Sequence, residues 1–264
     1  ISKFKKYAKC NYFTWFSSMK RSSYKLSIIL VFLQMTFVKM NNPPHLELNV
    51  SIAKFKVIKN GNSNRKFIWL HGDEKTAKMA LEYHIKRYPG TAYLIENDSR
   101  EINIRDGIID PNRIFSKAGA KKNLNKYNPY WSSNKKKTVL DSISSARTIL
   151  FKELFSDQGS IVISLHNNYK GYNIRSEVNN SDEISIKKNQ NPRDFFLCTN
   201  ENDYNILAKS PFNAVLQKST PPTDDGSLSW AALGKKTRYI NIETRLGWLS
   251  VQKKMLKYLE ENIP

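Results

Sequence analysis

The sequence predicts an α/β fold: a single domain with a mixed, largely parallel central sheet flanked by helices. Three observations predict it. Apolar runs such as Phe67-Ile68-Trp69-Leu70 and Ile161-Val162-Ile163-Ser164-Leu165 are continuous rather than alternating, as strands buried on both faces are. Segments of helical period separate such runs, at residues 74–88, 138–155 and 247–263. The chain has 264 residues, 40% of them hydrophobic, enough for one large domain with a substantial core.

Residues 1–44 read as a basic, partly hydrophobic segment, and residues 45–264 as the domain. From Met19 the chain runs "MKRSSYK", then the apolar "LSIILVFLQMTFV", then "KMNNPPH". A basic head, an apolar stretch and a polar break form the layout of a signal peptide. The stretch is shorter than the roughly 20 apolar residues a membrane-spanning helix needs. No small-x-small cleavage site follows it, so membrane association is expected only if the segment stays uncleaved. The expected location is secreted or periplasmic.

Along the domain, "LELNVSIAKFKVIKN" alternates like one strand, "GNSN" turns, and "KFIWL" is a second, more buried strand. Residues 74–88 read as a helix closed by Pro89-Gly90. "TAYLIEN" is another strand. Residues 138–155 form an amphipathic helix with Val139, Leu140, Ile143, Ile149, Leu150 and Leu154 on one face. "GSIVISLHNN" is a strand reaching His166, "DFFLCT" and "TRYINIE" are short strands, and residues 247–263 close the chain as a helix.

The formal net charge is +20, and residues 1–40 carry eight Lys/Arg without an acid, leaving +12 for the rest. Those lysines lie scattered in stretches such as "AKKNLNKYN" and "SSNKKKT", as on a solvated basic surface. Such a surface would suit an anionic cell-wall polymer. No aromatic-basic module is present, and no nucleic-acid partner is expected. Cys10 and Cys198 are the only cysteines, too few for a disulfide framework, so the fold must stand on its core.

Chemistry gathers at strand ends, where α/β sheets place their sites. His71 and Glu74 follow the "KFIWL" strand, and imidazole nitrogen with carboxylate oxygen suits zinc. His166 ends another strand and would complete a His₂Glu set; alone, it would read as a hydrogen-bonded strand-end histidine. In "DGIIDPNRIF", Arg113 beside Asn112 offers a planar two-pronged contact to a carboxylate. Asp110 would orient a ligating histidine; the same stretch also reads as a loop salt bridge. Glu243 closes the "TRYINIE" strand, either as a buried ion-pair partner or as a general base at a metal centre.

These stretches together resemble the zinc metallocarboxypeptidase family, the carboxypeptidase A-like peptidases, in a divergent bacterial-type branch. The resemblance spans residues 66–262. It rests on His71-x-x-Glu74, on Asp110-x-Asn112-Arg113 with Phe115, on His166, and on Glu243. Gly226-Ser227-Leu228-Ser229-Trp230 resembles the family's G-S-x-D-W loop, with Trp230 13 residues before Glu243. It implies one zinc ion held by His71, Glu74 and His166, and a substrate carboxylate gripped by Asn112 and Arg113. It further implies a carbonyl-polarising arginine, Arg100 with Arg105 in reserve, and Glu243 as general base. The implied activity is hydrolysis of an amide bond next to a free carboxylate in a peptide, such as a cell-wall peptide.

Several positions depart from the pattern. Ile114 stands for an asparagine, and Pro221 falls where a substrate-capping tyrosine would, leaving Tyr169 or Tyr172 for that role. Asn167-Asn168 replace a small polar and aromatic pair. Leu228 sits where the specificity pocket would be, which disfavours basic C-terminal residues. The related N-acyl amino acid deacylases, of the succinylglutamate desuccinylase/aspartoacylase type, share the first two motifs. A catalytically inactive binding module on the same fold is the remaining alternative.

Overall fold

In a computed structural model, a nine-stranded sheet carries the domain, which is described for residues 45–156, 159–169, 171–220 and 222–264. The N-terminal segment, with its signal-peptide reading, lies outside the described residues. The stretch read as one alternating strand is instead a hairpin. β1 (His45–Val50) turns at Ser51-Ile52 into β2 (Ala53–Asn60) and pairs with it antiparallel. The alternation persists across the turn, so period alone hides the break.

β3 (Arg65–Trp69) is followed by helix α1 (Lys75–Ile85) and β4 (Gly90–Ile95). A small hairpin of β5 (Ile102–Ile104) and β6 (Gly107–Ile109) leads into a 3₁₀ turn at Pro111–Arg113. Helices α2 (Lys117–Tyr127) and α3 (Ser133–Phe155) come next. α3 begins five residues before the expected start, because Ser132 accepts from the Lys135 N–H and caps a lysine-rich first turn. Strand β7 (Ile161–Asn168), a 3₁₀ segment (Ile174–Asn180), β8 (Glu183–Ser185), β9 (Phe195–Cys198), α4 (Glu201–Leu207) and β10 (Asn213–Leu216) follow. The chain closes with α5 (Leu228–Gly234), β11 (Arg238–Arg245) and α6 (Leu249–Asn262).

The strand order is β1-β2-β4-β3-β7-β11-β9-β10-β8. The central four, β4-β3-β7-β11, run parallel; the pairs flanking them are antiparallel except for the parallel β9–β10 pair. This is the mixed sheet with a parallel centre that the sequence predicts. Every residue of β7 is buried, which explains why its sequence does not alternate. α3 buries Val139, Ile143, Ala146, Leu150 and Leu154, while Leu140 and Ile149 are only partly covered.

A buried amide network fixes the carboxyl end of this centre. Asn167 accepts from the Ala77 N–H at 2.8 Å and donates to Gln252 Oε1 at 3.0 Å; Gln252 in turn donates to the His166 carbonyl at 3.1 Å. The start of α1, β7 and α6 are thereby tied together behind His166. Side chains alternate across the sheet, so Asn167 serves this network while His166 and Asn168 face the other side. The departure at 167–168 therefore has a structural use.

Candidate metal and active site

His71 and Glu74 are joined by a tight turn rather than by a regular helix. Glu74 N–H donates to the His71 carbonyl at 3.1 Å, and the Trp69 indole donates to the Glu74 carbonyl at 3.0 Å. Gly72 lets the turn pass close to the next loop: a Cβ there would lie 2.2 Å from the Asn97 carbonyl oxygen. Its N–H donates to the Ser99 carbonyl. Glu74 stands at the N-cap of α1 but makes no side-chain cap. Its carboxylate turns inward instead.

There it meets both histidines. Glu74 Oε1 lies 2.9 Å from His71 Nδ1, and Oε2 lies 3.0 Å from His166 Nδ1. The two Nδ1 atoms face each other at 3.2 Å. All three side chains are buried, and their ligand atoms lie within 4.8 Å of one another. Among the described residues this is the one such group of His, Cys, Asp or Glu.

The donor set fits a metal cation. His71 Nε2 sits 2.9 Å from Asp110 Oδ1, so the proton on that nitrogen faces the carboxylate and the Nδ1 lone pair points into the cluster. Burial opposes a charge on His71, yet hydrogen bonds to Asp110 and Glu74, and their charges, raise its pKa to about 9. Burial likewise opposes ionisation of Glu74, but His166 and His71 hold its carboxyl well below the usual range. Asp110, despite burial, is lowered to about 2 by His71 and the Asn112 N–H. Two carboxylates thus draw positive charge to the point where three donors converge.

Glu243 enters from the neighbouring strand. It is the register partner of His166 in the parallel β7–β11 pair, so both side chains stand on one face. Asn241 Nδ2 and Asn168 Nδ2 each donate to one of its oxygens, at 3.1 Å. No ion pair to Glu243 occurs among the described residues, so the ion-pair reading of the sequence gives way. Burial first, and the nearby Glu74 charge after it, raise its pKa, against the pull of His166 and the two amides. A carboxyl so placed holds a proton more readily than an exposed one.

A cavity of about 390 Å³ joins these groups to Arg100, Asn112 and Arg113. Arg100 donates to Glu74 Oε1 at 3.0 Å. Arg105 sits at φ 57° in the tight β5–β6 turn and is not among the cavity-lining residues, whereas Arg100 is. Asn112 Oδ1 accepts from the Leu228 N–H at 3.1 Å, and its Nδ2 donors have no partner among the described residues. Arg113 spends one nitrogen on Asp225, at 3.3 Å, and on the Asn112 carbonyl. The loop carrying Asp225 packs directly on this segment: Gly226, at φ +80°, approaches so closely that a Cβ would lie 2.4 Å from the Arg113 carbonyl oxygen.

Leu228 is corrected. Its side chain is fully buried and does not line the cavity; Ser227, Ser229 and Trp230 do. Tyr169 and Tyr172 both line it, Tyr169 bonded to Asp73 at 3.4 Å and Tyr172 donating to Glu177 at 2.6 Å. The sequence reading misses Tyr239 and Asn241, which share a face of β11 with Glu243 and bond to Ser164 at 2.6 and 3.0 Å. The two-residue period of Tyr239, Asn241 and Glu243 is the signal that marks them. It also misses Glu177 and Gln217, which follow no motif.

No protein-family model and no curated protein matches the chain. Solved structures similar to it include a candidate metallopeptidase from Shewanella baltica, 11% identical, with TM-score 0.43, covering 89% of this chain and 90% of that one. A succinylglutamate desuccinylase/aspartoacylase from Rhodobacter sphaeroides is 11% identical, with TM-score 0.45, covering 86% and 67%. A candidate carboxypeptidase from Burkholderia mallei is 12% identical, with TM-score 0.45, covering 91% and 67%. Likenesses this distant carry no chemistry. The site must be read from its own geometry.

Proposed function

We propose that this chain is a zinc-dependent hydrolase that cleaves an amide bond next to a free carboxylate in a peptide. The observation that supports it is the convergence of His71 Nδ1, His166 Nδ1 and the Glu74 carboxylate beside Glu243, in one cavity with Arg113. His71, Glu74 and His166 would hold the ion, and Asp110 would fix the His71 tautomer. Zinc would supply Lewis acidity, polarising the amide carbonyl and easing deprotonation of water.

The remaining work falls to the chain's own residues. Arg113 and the Asn112 amide, with N–H groups left over from their internal bonds, would receive the substrate carboxylate. Arg100 would donate to the carbonyl oxygen as charge develops there. Glu243, aligned by Asn241 and Asn168, would accept a proton from the attacking water and return it to the departing nitrogen.

Matched peptides with free and amidated C-termini test this reading. The free acid should be the better substrate, and Arg113→Ala should raise its KM by about 10- to 100-fold, the worth of a charge-assisted hydrogen bond. Arg113→Lys should recover little, since an ammonium lacks the two-pronged geometry. Equal hydrolysis of acid and amide would overturn the carboxylate anchor.

A further inference from the structure

Arg193 lies in the loop between β8 and β9, half-buried and not among the cavity-lining residues. No carboxylate pairs with it among the described residues; its side chain is spent on one partner. Nε donates to Asn168 Oδ1 at 3.0 Å, and Nη2 donates to the Asn168 carbonyl. Asn168 answers with its own amide, Nδ2 donating to the Arg193 carbonyl at 2.7 Å and to Glu243 Oε2 at 3.1 Å. Both amide hydrogens are thereby used, one of them on Glu243. Turned over, the amide would set Nδ2 against the guanidinium and Oδ1 against a carbonyl and a carboxylate. Only one orientation is open to it.

Anchoring the loop does not explain this grip. The next residue, Asp194, already ties the loop down: its buried carboxylate accepts from Arg245 Nη2 at 2.7 Å, from Nε at 3.0 Å and from the Arg245 N–H at 3.0 Å. What the guanidinium adds is a hold on the amide that meets Glu243. The second amide there is held in the same way. Ser164 Oγ donates to Asn241 Oδ1 at 3.0 Å, which turns Asn241 Nδ2 to Glu243 Oε1. Ser164 has one hydrogen to give, so the Tyr239 hydroxyl donates to it, at 2.6 Å. Each oxygen of Glu243 thus receives an N–H whose direction is set by a donor behind it. The departure from the peptidase pattern at Asn168 acquires a use of its own.

We propose that Arg193 is a positioning residue for Glu243, acting through the Asn168 amide. The inference rests on the hydrolase reading for what Glu243 does. A general base has to be held in one geometry by the groups around it. Without the guanidinium, Asn168 Oδ1 is an acceptor on a buried side chain with no donor; the amide escapes by turning, and Oε2 loses its bond.

Arg193→Met keeps an apolar stem and removes the donors. On the free-acid peptide its kcat should fall about 10- to 100-fold, the range for a group that orients a working residue. KM should stay as it is, because Asn112 and Arg113 are untouched. Arg193→Lys, whose ammonium lacks the two-pronged geometry, should fall between that variant and the wild type, and it stands in if Arg193→Met does not fold. In a Glu243→Gln background, Arg193→Met should cost nothing further, since the base it positions is gone. A crystal structure of Arg193→Met reads the geometry without turnover and should show the Asn168 amide turned away from Glu243. Unchanged kcat, an equal loss in both backgrounds, or a variant in which Asn168 still holds Oε2 overturns the inference and leaves the hydrolase reading standing. Wild-type protein that cuts neither the free acid nor the amide overturns the hydrolase reading instead, and the crystal structure then decides on its own whether Arg193 holds Glu243 in place.

Discussion

Glu243 is where the competing roles of a single carboxylate separate most cleanly. Its oxygens accept from two amides and meet no cation among the described residues, so the side chain gains little stability from its charge. Glu243→Gln keeps the shape and loses the ability to take a proton. Turnover should fall by roughly 10²–10⁴-fold, the range for general acid–base catalysis, while the melting temperature changes little. Thermal unfolding and steady-state kinetics on that variant check this; retained turnover would remove Glu243 from the mechanism. The residue types were readable because their chemistry is rare at strand ends: two histidines and a glutamate each followed an apolar run. Gln217 and Glu177 were not readable. Nothing in the chain near them repeats or alternates, and only folding sets one beside the other.

At the scale of elements, the site depends on a close approach of two backbones. The turn from β3 into α1 must pass the 97–98 backbone without a side chain at Gly72. Gly72→Ala should therefore cost about 1–3 kcal/mol, the range for overpacking, and should weaken metal binding by displacing His71 and Glu74. Chemical denaturation and metal titration of the variant measure the two effects.

α1 also carries a buried histidine outside the site. Burial, and then the Arg65 charge, lower the His84 pKa from 6.5 to about 4. A histidine whose folded pKa is depressed contributes stability that is complete above about pH 6.5 and is lost as pH falls toward 4. We expect a cost of about 3 kcal/mol across the window, absent in His84→Leu; parallel stability profiles for the two proteins would refute it. These elements were legible where period and burial agree, as in β7 and α3. The β1–β2 hairpin escaped because its alternation runs on through the turn. The four-residue β10 escaped because so short a run has no period to read.

For the whole molecule, the sheet centre was legible and its margins were not. Parallel central strands announce themselves by continuous apolar runs, whereas the antiparallel edge pairs depend on turns that composition marks weakly. We propose export from the Met19–Val38 pattern. Cell fractionation should then place the protein outside the cytoplasm, trimmed near residues 38–45; a full-length cytosolic protein would contradict export without touching the site.

The central claim is that three buried side chains form a metal centre, and elemental analysis of the purified protein tests it most directly. Wild-type protein should carry about one zinc per chain, and His166→Ala should lose most of it while its circular dichroism is unchanged. Stoichiometric zinc persisting in His166→Ala, or a folded wild type that takes up none on titration, would contradict the account.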